Sequence, residues 1–379
     1  MMARATRATR ATLAASAAAV LLAIVGCAAD TDKPTPLEPI TPKIAGRQVW
    51  KLKLSGFPAT HAVAVAGDQF VLGATDGTIV AVDAATGAEQ WRGSAGAKLA
   101  AGVGTDGRWT ATVNRDGELV VLEKGVTRWK QRLATSVVTA PFVGGERVFV
   151  LGVDRSVQAY DILNGSLIWT FARTGGDALT LSQGGVITAY KDTLLVGQGN
   201  RMTALDPLKG QVRWEAVVAS PRGTNEVERL ADLVGPAARV DNVFCVRAFQ
   251  NGVGCVDADR ATTVWSLNGS GAQSVAADAD DVFSADAIDR ITARKRLNGE
   301  TIWSSDKFQN RRLSGPLSAG TTVVFGDYQG WVHFLDRDTG TEVLRLPTDG
   351  SATVGAPVRS GTTLLVTTKD GGAYAFRPE

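Results

Sequence analysis

"DGTIVAVDAATGAEQW" (76–91) carries the grammar that decides the fold. An Asp-Gly pair opens it, which is turn chemistry. "TIVAVD" follows as a strand of alternating apolar residues. Asp83 ends that strand, and its carboxylate is placed to bond the backbone of the next turn. Gly87 follows where the turn needs a positive φ. A second short strand then closes on Trp91. The same phrase returns as "DRSVQAYDILNGSLIW" (154–169), "GNRMTALDPLKGQVRW" (199–214) and "IDRITARKRLNGETIW" (288–303), and in looser form at 115–129, 251–265 and 328–344. Successive Trp stand 38 to 45 residues apart, except for 51 between Trp214 and Trp265. Leu344 takes the last Trp slot.

Upstream of each phrase lies another apolar strand, such as "QFVLGA", "RVFVLG" or "TVVFGD". A short strand of small residues precedes that one. Four strands per unit of about 40 residues, with no helical periodicity after residue 27, predict an all-β chain, a β-propeller of four-stranded blades. Seven units are complete. "GAPVRSGTTLLVTTKDGGAYAF" (355–376) supplies three strands of an eighth. "GRQVWKLKL", with Trp50 in the expected slot, supplies the missing outer strand from the other end of the chain. The expectation is an eight-bladed propeller over 47–379, closed by its N-terminal strand, which removes a sheet edge. The Trp ring reads as packing between blades. Trp109 and Trp331 fall outside the slot.

The first 26 residues differ from the rest. Arg4, Arg7 and Arg10 precede the apolar run Leu13 to Val25, which reads as a secretory signal peptide (1–26). "LLAIVGC" ends it, with Gly26 directly before Cys27. "AADTDKPTPLEPITPK" then reads as a polar, Pro-rich tether, so 27–46 is expected to be a flexible leash. Of 40 basic residues, removal of those three Arg leaves 37 against 38 acidic, a net charge of −1. No basic block remains, so nucleic-acid binding has no electrostatic support.

Two further cysteines lie in one hairpin, "VFCVRAFQNGVGCV". A two-residue turn at Gln250-Asn251 sets Cys245 opposite Val256 and sends the two sulfurs to opposite faces. A three-residue loop brings them together. The two-residue turn, and hence no bond, is the expectation.

Catalytic patterns are lacking. There is no nucleophile elbow, phosphate loop or zinc-ligand spacing. The Asp residues sit mostly at the repeated turn. The two histidines, His61 and His333, lie in strands and read as structural. The remaining irregularity is "SPRGTNEVERLADLVG" (220–235), a long charged link between the fourth and fifth units, with "RTGGDALTLSQGG" (173–185) one unit earlier. Both join the outer strand of one blade to the inner strand of the next, so both fall on one face. Loops on a rigid scaffold are where binding is placed. Glu226, Glu228, Arg229, Leu230 and Asp232 ring a few apolar positions there. A competing reading makes this link a short amphipathic helix that buries Leu230 and Leu233 on the protein's own face.

The repeat resembles that of quinoprotein dehydrogenases, whose propellers hold pyrroloquinoline quinone. Those enzymes commonly carry adjacent cysteines, a Ca²⁺ site and long covering insertions, and this chain has no Cys-Cys pair. The repeat, the "VGC" lipobox and "TNEVERLADLVG" together resemble the BamB-type lipoproteins of the outer-membrane β-barrel assembly machinery, over the whole chain. That resemblance implies a non-enzymatic scaffold without cofactor. It implies lipidation of Cys27 and an outer-membrane address, since Ala28 rather than Asp follows. It implies contact with the periplasmic POTRA domains of BamA, indirect contact with the other lipoproteins of that complex, and help in inserting nascent outer-membrane proteins. Its binding loops map onto Leu179, Leu181 and Ser182, where Ser182 replaces a family Arg, and onto Glu228, Arg229, Leu230 and Asp232, where Val234 replaces a family Asp. A quinoprotein-like dehydrogenase and an envelope ligand-binding propeller remain the alternatives.

Overall fold

The computed structural model describes residues 33–58, 62–173, 180–221, 224–227 and 229–379. Among them the strands form eight separate four-stranded antiparallel sheets, an eight-bladed propeller. Blade 1 is built from Ala64–Ala66, Gln69–Gly73, Thr78–Asp83 and Glu89–Ser94. Its two middle strands are buried and its outer strand is mostly exposed. The later blades repeat this order. Blade 8 takes Thr353–Ser360, Thr363–Thr368 and Gly372–Pro378 from the C-terminus and Gly46–Lys53 from the N-terminus. The seam runs in register from Gly46 opposite Pro378 to Lys53 opposite Gly372, with one bulge between Gln48 and Trp50. Ring closure by the N-terminal strand is as the repeat count required.

Each blade solves the same packing problem. The third and fourth strands break register once, immediately beside the Trp slot. A bulge there turns the large side chain toward the neighbouring blade. The facing residue is small: Ala81 opposite Trp91, Ala159 opposite Trp169, Ala204 opposite Trp214, Ala293 opposite Trp303. Blade 7 reverses the sizes, with Leu344 opposite Phe334. That exchange of volumes across one strand pair explains the exception.

The indole reaches past its own blade. Trp129 Nε1 donates to the Ile162 carbonyl at 2.7 Å, in the turn of the next blade. Trp50, Trp169, Trp265 and Trp303 do the same to Ala84, Pro207, Arg296 and Arg337. The turn glycine lies flat against the ring: a Cβ on Gly165 would stand 2.8 Å from Trp129. The glycine thus serves two ends, a φ of +73° and the close approach of the indole. Asp161 holds the same turn by accepting from the N–H groups of Leu163 and Asn164. One sequence phrase therefore fixes a turn within its own blade and the docking of the preceding one.

Two expectations are corrected. Cys245 and Cys255 are joined in a disulfide. They pair directly across neighbouring strands, and Ala248 pairs with Gly252. The loop is therefore the three residues Phe249, Gln250 and Asn251, with Gln250 at φ +48°, and the extra residue puts both sulfurs on one face. The C-terminal part of the expected 27–46 leash is docked rather than free. From Thr35 onward the chain lies on the propeller. Thr35 N–H donates to Gln309 at 2.9 Å and Lys43 N–H to Val343 at 2.8 Å, while Leu37 packs among Phe308, Leu313 and Trp303. Cys27 and His61 lie outside the described residues. His333 is fully buried and paired within blade 7.

Candidate partner-binding face

The two long links meet. Gly185 forms an isolated antiparallel bridge with Val234, and Gly235 N–H donates to the Gly184 carbonyl at 3.0 Å. The centre of the contact is Asp232. One carboxylate oxygen accepts from Leu181 N–H at 2.8 Å. The other accepts from Arg155 Nε at 2.9 Å and stands 2.9 Å from Arg155 Nη2. Arg155 belongs to a turn of blade 3, at φ +63°, and its carbonyl accepts from Gln198 Nε2 at 2.7 Å in blade 4. Asp232's own carbonyl accepts from Phe249 N–H in blade 5. A single residue therefore ties a blade 3 turn, both links and a blade 5 turn.

The pair is sheltered: the Arg155 side chain is 20% exposed and that of Asp232 15%. A charge-assisted bond under that much cover is worth more than a surface ion pair. A third link is drawn in. Gln183 Nε2 donates to the Ala272 carbonyl at 2.8 Å. That link is held from below by Arg247, buried among the carbonyls of Ser270, Gln273 and Ala285. Burial brings the Arg247 guanidinium down to about 10.

The sequence candidates separate by exposure. Leu179 and Glu228 lie outside the described residues. Leu181, Arg229 and Leu230 are half-buried, and Ser182 is exposed. Asp232 faces inward as the staple. Glu226 and Val227 are exposed, Val227 at 67%. Val227 was missed as a candidate, although an apolar residue set among charges in "NEVERL" is the signal for it. The amphipathic-helix alternative is half right. Leu233 and Ala231 are buried in the core between blades 4 and 5. Among the described residues before them the bonds are those of a turn, with Arg229 N–H donating to Asn225 and Leu230 N–H to Val227. The chemistry on offer is a rigid platform with a few apolar and charged tips. Among the described residues no group of three or more His, Cys, Asp or Glu is placed to hold a metal ion.

Comparison with known proteins agrees with this architecture. The family described as "Outer membrane protein assembly factor BamB" matches residues 43–97, 75–305 and 291–379. The chain is 34% identical over 366 residues to the outer membrane protein assembly factor BamB of Burkholderia pseudomallei (strain K96243), covering 95% of this chain and 96% of that one. The crystal structure of BamB from Moraxella catarrhalis superimposes with a TM-score of 0.79 at 24% identity, over 88% of this chain and all of the other. The quinohemoprotein alcohol dehydrogenase of Comamonas testosteroni shares the fold at a TM-score of 0.64 and 15% identity, over 88% of this chain and 76% of its own. With a family match over nearly the whole propeller and a relative this similar end to end, the chain belongs to the BamB family of outer membrane protein assembly factors.

Proposed function

We propose that this protein is a non-enzymatic scaffold of the outer-membrane β-barrel assembly complex, held at the outer membrane by lipid on Cys27 and facing the periplasm. It binds the POTRA domains of BamA through the face that carries the 180–185 and 224–235 links, meets the other lipoproteins of the complex through BamA, and assists insertion of nascent outer-membrane proteins. Family membership supports the assembly role. The observation that supports the site is the staple at Asp232, which joins the described parts of the two longest links on one face of a closed ring. A scaffold that has fixed its loops in advance loses little entropy on binding. The quinoprotein alternative has the shared fold alone behind it.

The test is a titration of the mature propeller, residues 28–379, against the POTRA domains of BamA from the same organism. Ser182→Glu and Val227→Asp alter exposed tips and leave the staple intact. Weakening of tenfold or more in both variants, with wild-type thermal stability, supports the face. Unchanged affinity in both moves the site elsewhere on the ring. No binding by the wild type ends the BamA assignment.

A further inference from the structure

Buried charge gathers in one blade. At blade 7 the side chains of Asp327 and His333, and of Arg311 in the link leading into it, are 0%, 0% and 2% exposed. His333 Nδ1 stands 2.6 Å from Glu342 Oε1, and its Nε2 stands 3.1 Å from Asp327 Oδ2. Each ring nitrogen faces a carboxylate oxygen, so both bonds form at once only when the group shares one more proton than neutral imidazole and two carboxylates carry. Equivalent strand positions in other blades hold Val80, Val120 and Thr203. The ring does not require charge there. Buried ion pairs add little to stability over apolar packing, which leaves this one without a folding rationale.

The two cations of the cluster each spend a donor on the same segment. Arg311 binds Asp327 through Nε at 2.9 Å and gives Nη1 to the Thr35 carbonyl at 3.0 Å. Arg345 binds Glu342 through Nε at 2.9 Å and gives Nη2 to the Glu38 carbonyl at 3.2 Å. Between them Leu37 enters the apolar cluster of Phe308, whose ring meets His333 edge-on at 4.9 Å. These donors compensate a segment too rich in Pro to join a sheet.

We infer that this cluster is a latch that clamps residues 35–45 to blade 7 and so sets the length of the membrane tether. The inference rests on lipidation of Cys27, proposed above. Thr35 docks on Gln309, in the link from blade 6 to blade 7. Such links share one face of a propeller, so the strap begins on the face of the candidate binding loops. With the latch closed, the seven residues between Cys27 and Thr35 can span at most about 25 Å. With it open, the leash is about 18 residues and about 60 Å. The latch keeps the binding face at short reach of the bilayer.

Two measurements test it, with a strap-side variant in both and a cluster-side variant in the first. Leu37→Asp expels the strap and leaves the buried pairs in place. Arg345→Gln removes one backbone clamp. Hydrogen exchange of the 28–379 propeller should show the amides of Thr35 and Lys43 protected at least tenfold in wild type. That protection should be lost in Leu37→Asp while the blade 7 strands stay protected, and lowered in Arg345→Gln. Unprotected strap amides in wild type, or protection that survives both changes, overturns the latch. The lipidated full chain in liposomes carrying a headgroup acceptor dye reads the reach. Energy transfer from a donor on the propeller should fall in Leu37→Asp; equal transfer overturns the tether role. A chain that never joins the liposomes defeats the lipidation reading alone, since the exchange result does not depend on it.

Discussion

Removing the Asp232 carboxylate tests whether the candidate binding face is organised or merely exposed. Asp232→Ala deletes the acceptor for Arg155 Nε and for Leu181 N–H, at 2.9 and 2.8 Å. A hydrogen bond to a charged group contributes about 1.5–3 kcal/mol net, and the low end applies to a pair that keeps some solvent. The bond to Leu181 N–H adds about 1 kcal/mol, because that residue is half-buried. The loss is therefore about 2–3 kcal/mol, of which about 1–2 is coupling to Arg155. The assay is a double-mutant cycle with Arg155→Ala in urea, read beside hydrogen exchange of the Leu181 amide. Exchange there should quicken by about ten- to a hundredfold, since each 1.4 kcal/mol is tenfold. Affinity for the partner should fall as well, through displaced loops rather than a lost contact. Coupling within about 0.3 kcal/mol of zero, together with an unchanged Leu181 amide, would refute the staple. A binding loss in Asp232 variants alone would then mean direct contact, which the exposed-tip variants Ser182→Glu and Val227→Asp check independently.

The Trp slot makes a controlled pair. Gly165→Ala combines a φ of +73° with a Cβ 2.8 Å from Trp129, whereas Gly145→Ala has a φ of +59° and open space. The first should cost about 3 kcal/mol or more and the second about 1 in denaturant unfolding, and equal losses would discount the indole contact. Phe334→Ala should destabilise by about 3 kcal/mol, and adding Leu344→Trp should recover more than half by restoring the size order of the other blades; no recovery in the double variant would argue against volume exchange. Reduction of Cys245–Cys255 should lower the unfolding midpoint modestly, because the bond closes a short hairpin, while blade 5 stays folded; loss of blade 5 exchange protection would contradict this. Burial raises the Asp278 carboxyl, but its bonds from Arg337 and from neighbouring N–H groups outweigh that and bring it down to about 2. Its contribution is thus present above the ordinary value near 3.8 and lost as pH falls through about 2. Asp278→Asn should flatten the stability profile between about pH 4.5 and 2, and an unaltered acid limb would show that Asp278 does not set it.

Much of the ring was legible because each phrase specifies its own turn and its neighbour's docking. Asp161, Gly165 and Trp169 act within one 9-residue span, and the same spacing recurs round the circle. What escaped depends on single residues or on distant partners. The hairpin at 249–251 is one residue longer than expected, and in a strand of period two that residue decides on which face a cysteine lies. The strap looked like solvated leash, since its composition is polar and Pro-rich. Its anchors, Arg311 and Arg345, lie roughly 270 to 310 positions away and bind backbone carbonyls, which carry no sequence signal. The candidate loops were found by their break in rhythm. Asp232 reads in sequence as a contact residue, and its bond to Arg155, 77 residues upstream in another blade, leaves no sequence signal.

The staple and the latch have one design. In each, a sheltered ion pair in the ring lends spare donors or acceptors to the backbone of a segment that makes no blade: Asp232 to Leu181, Arg311 to Thr35. An apolar core cannot do this for Gly- and Pro-rich chain, whose backbone groups need polar partners. The Asp232 staple and the Arg311–Thr35 contact both lie where blades are linked. A closed ring needs no help to stay closed, so charge sheltered there acts on the geometry of its attachments. On the function proposed above, the quantity under control is where the candidate binding loops stand relative to the lipidated Cys27. Opening either device should therefore change assembly while leaving the eight blades intact.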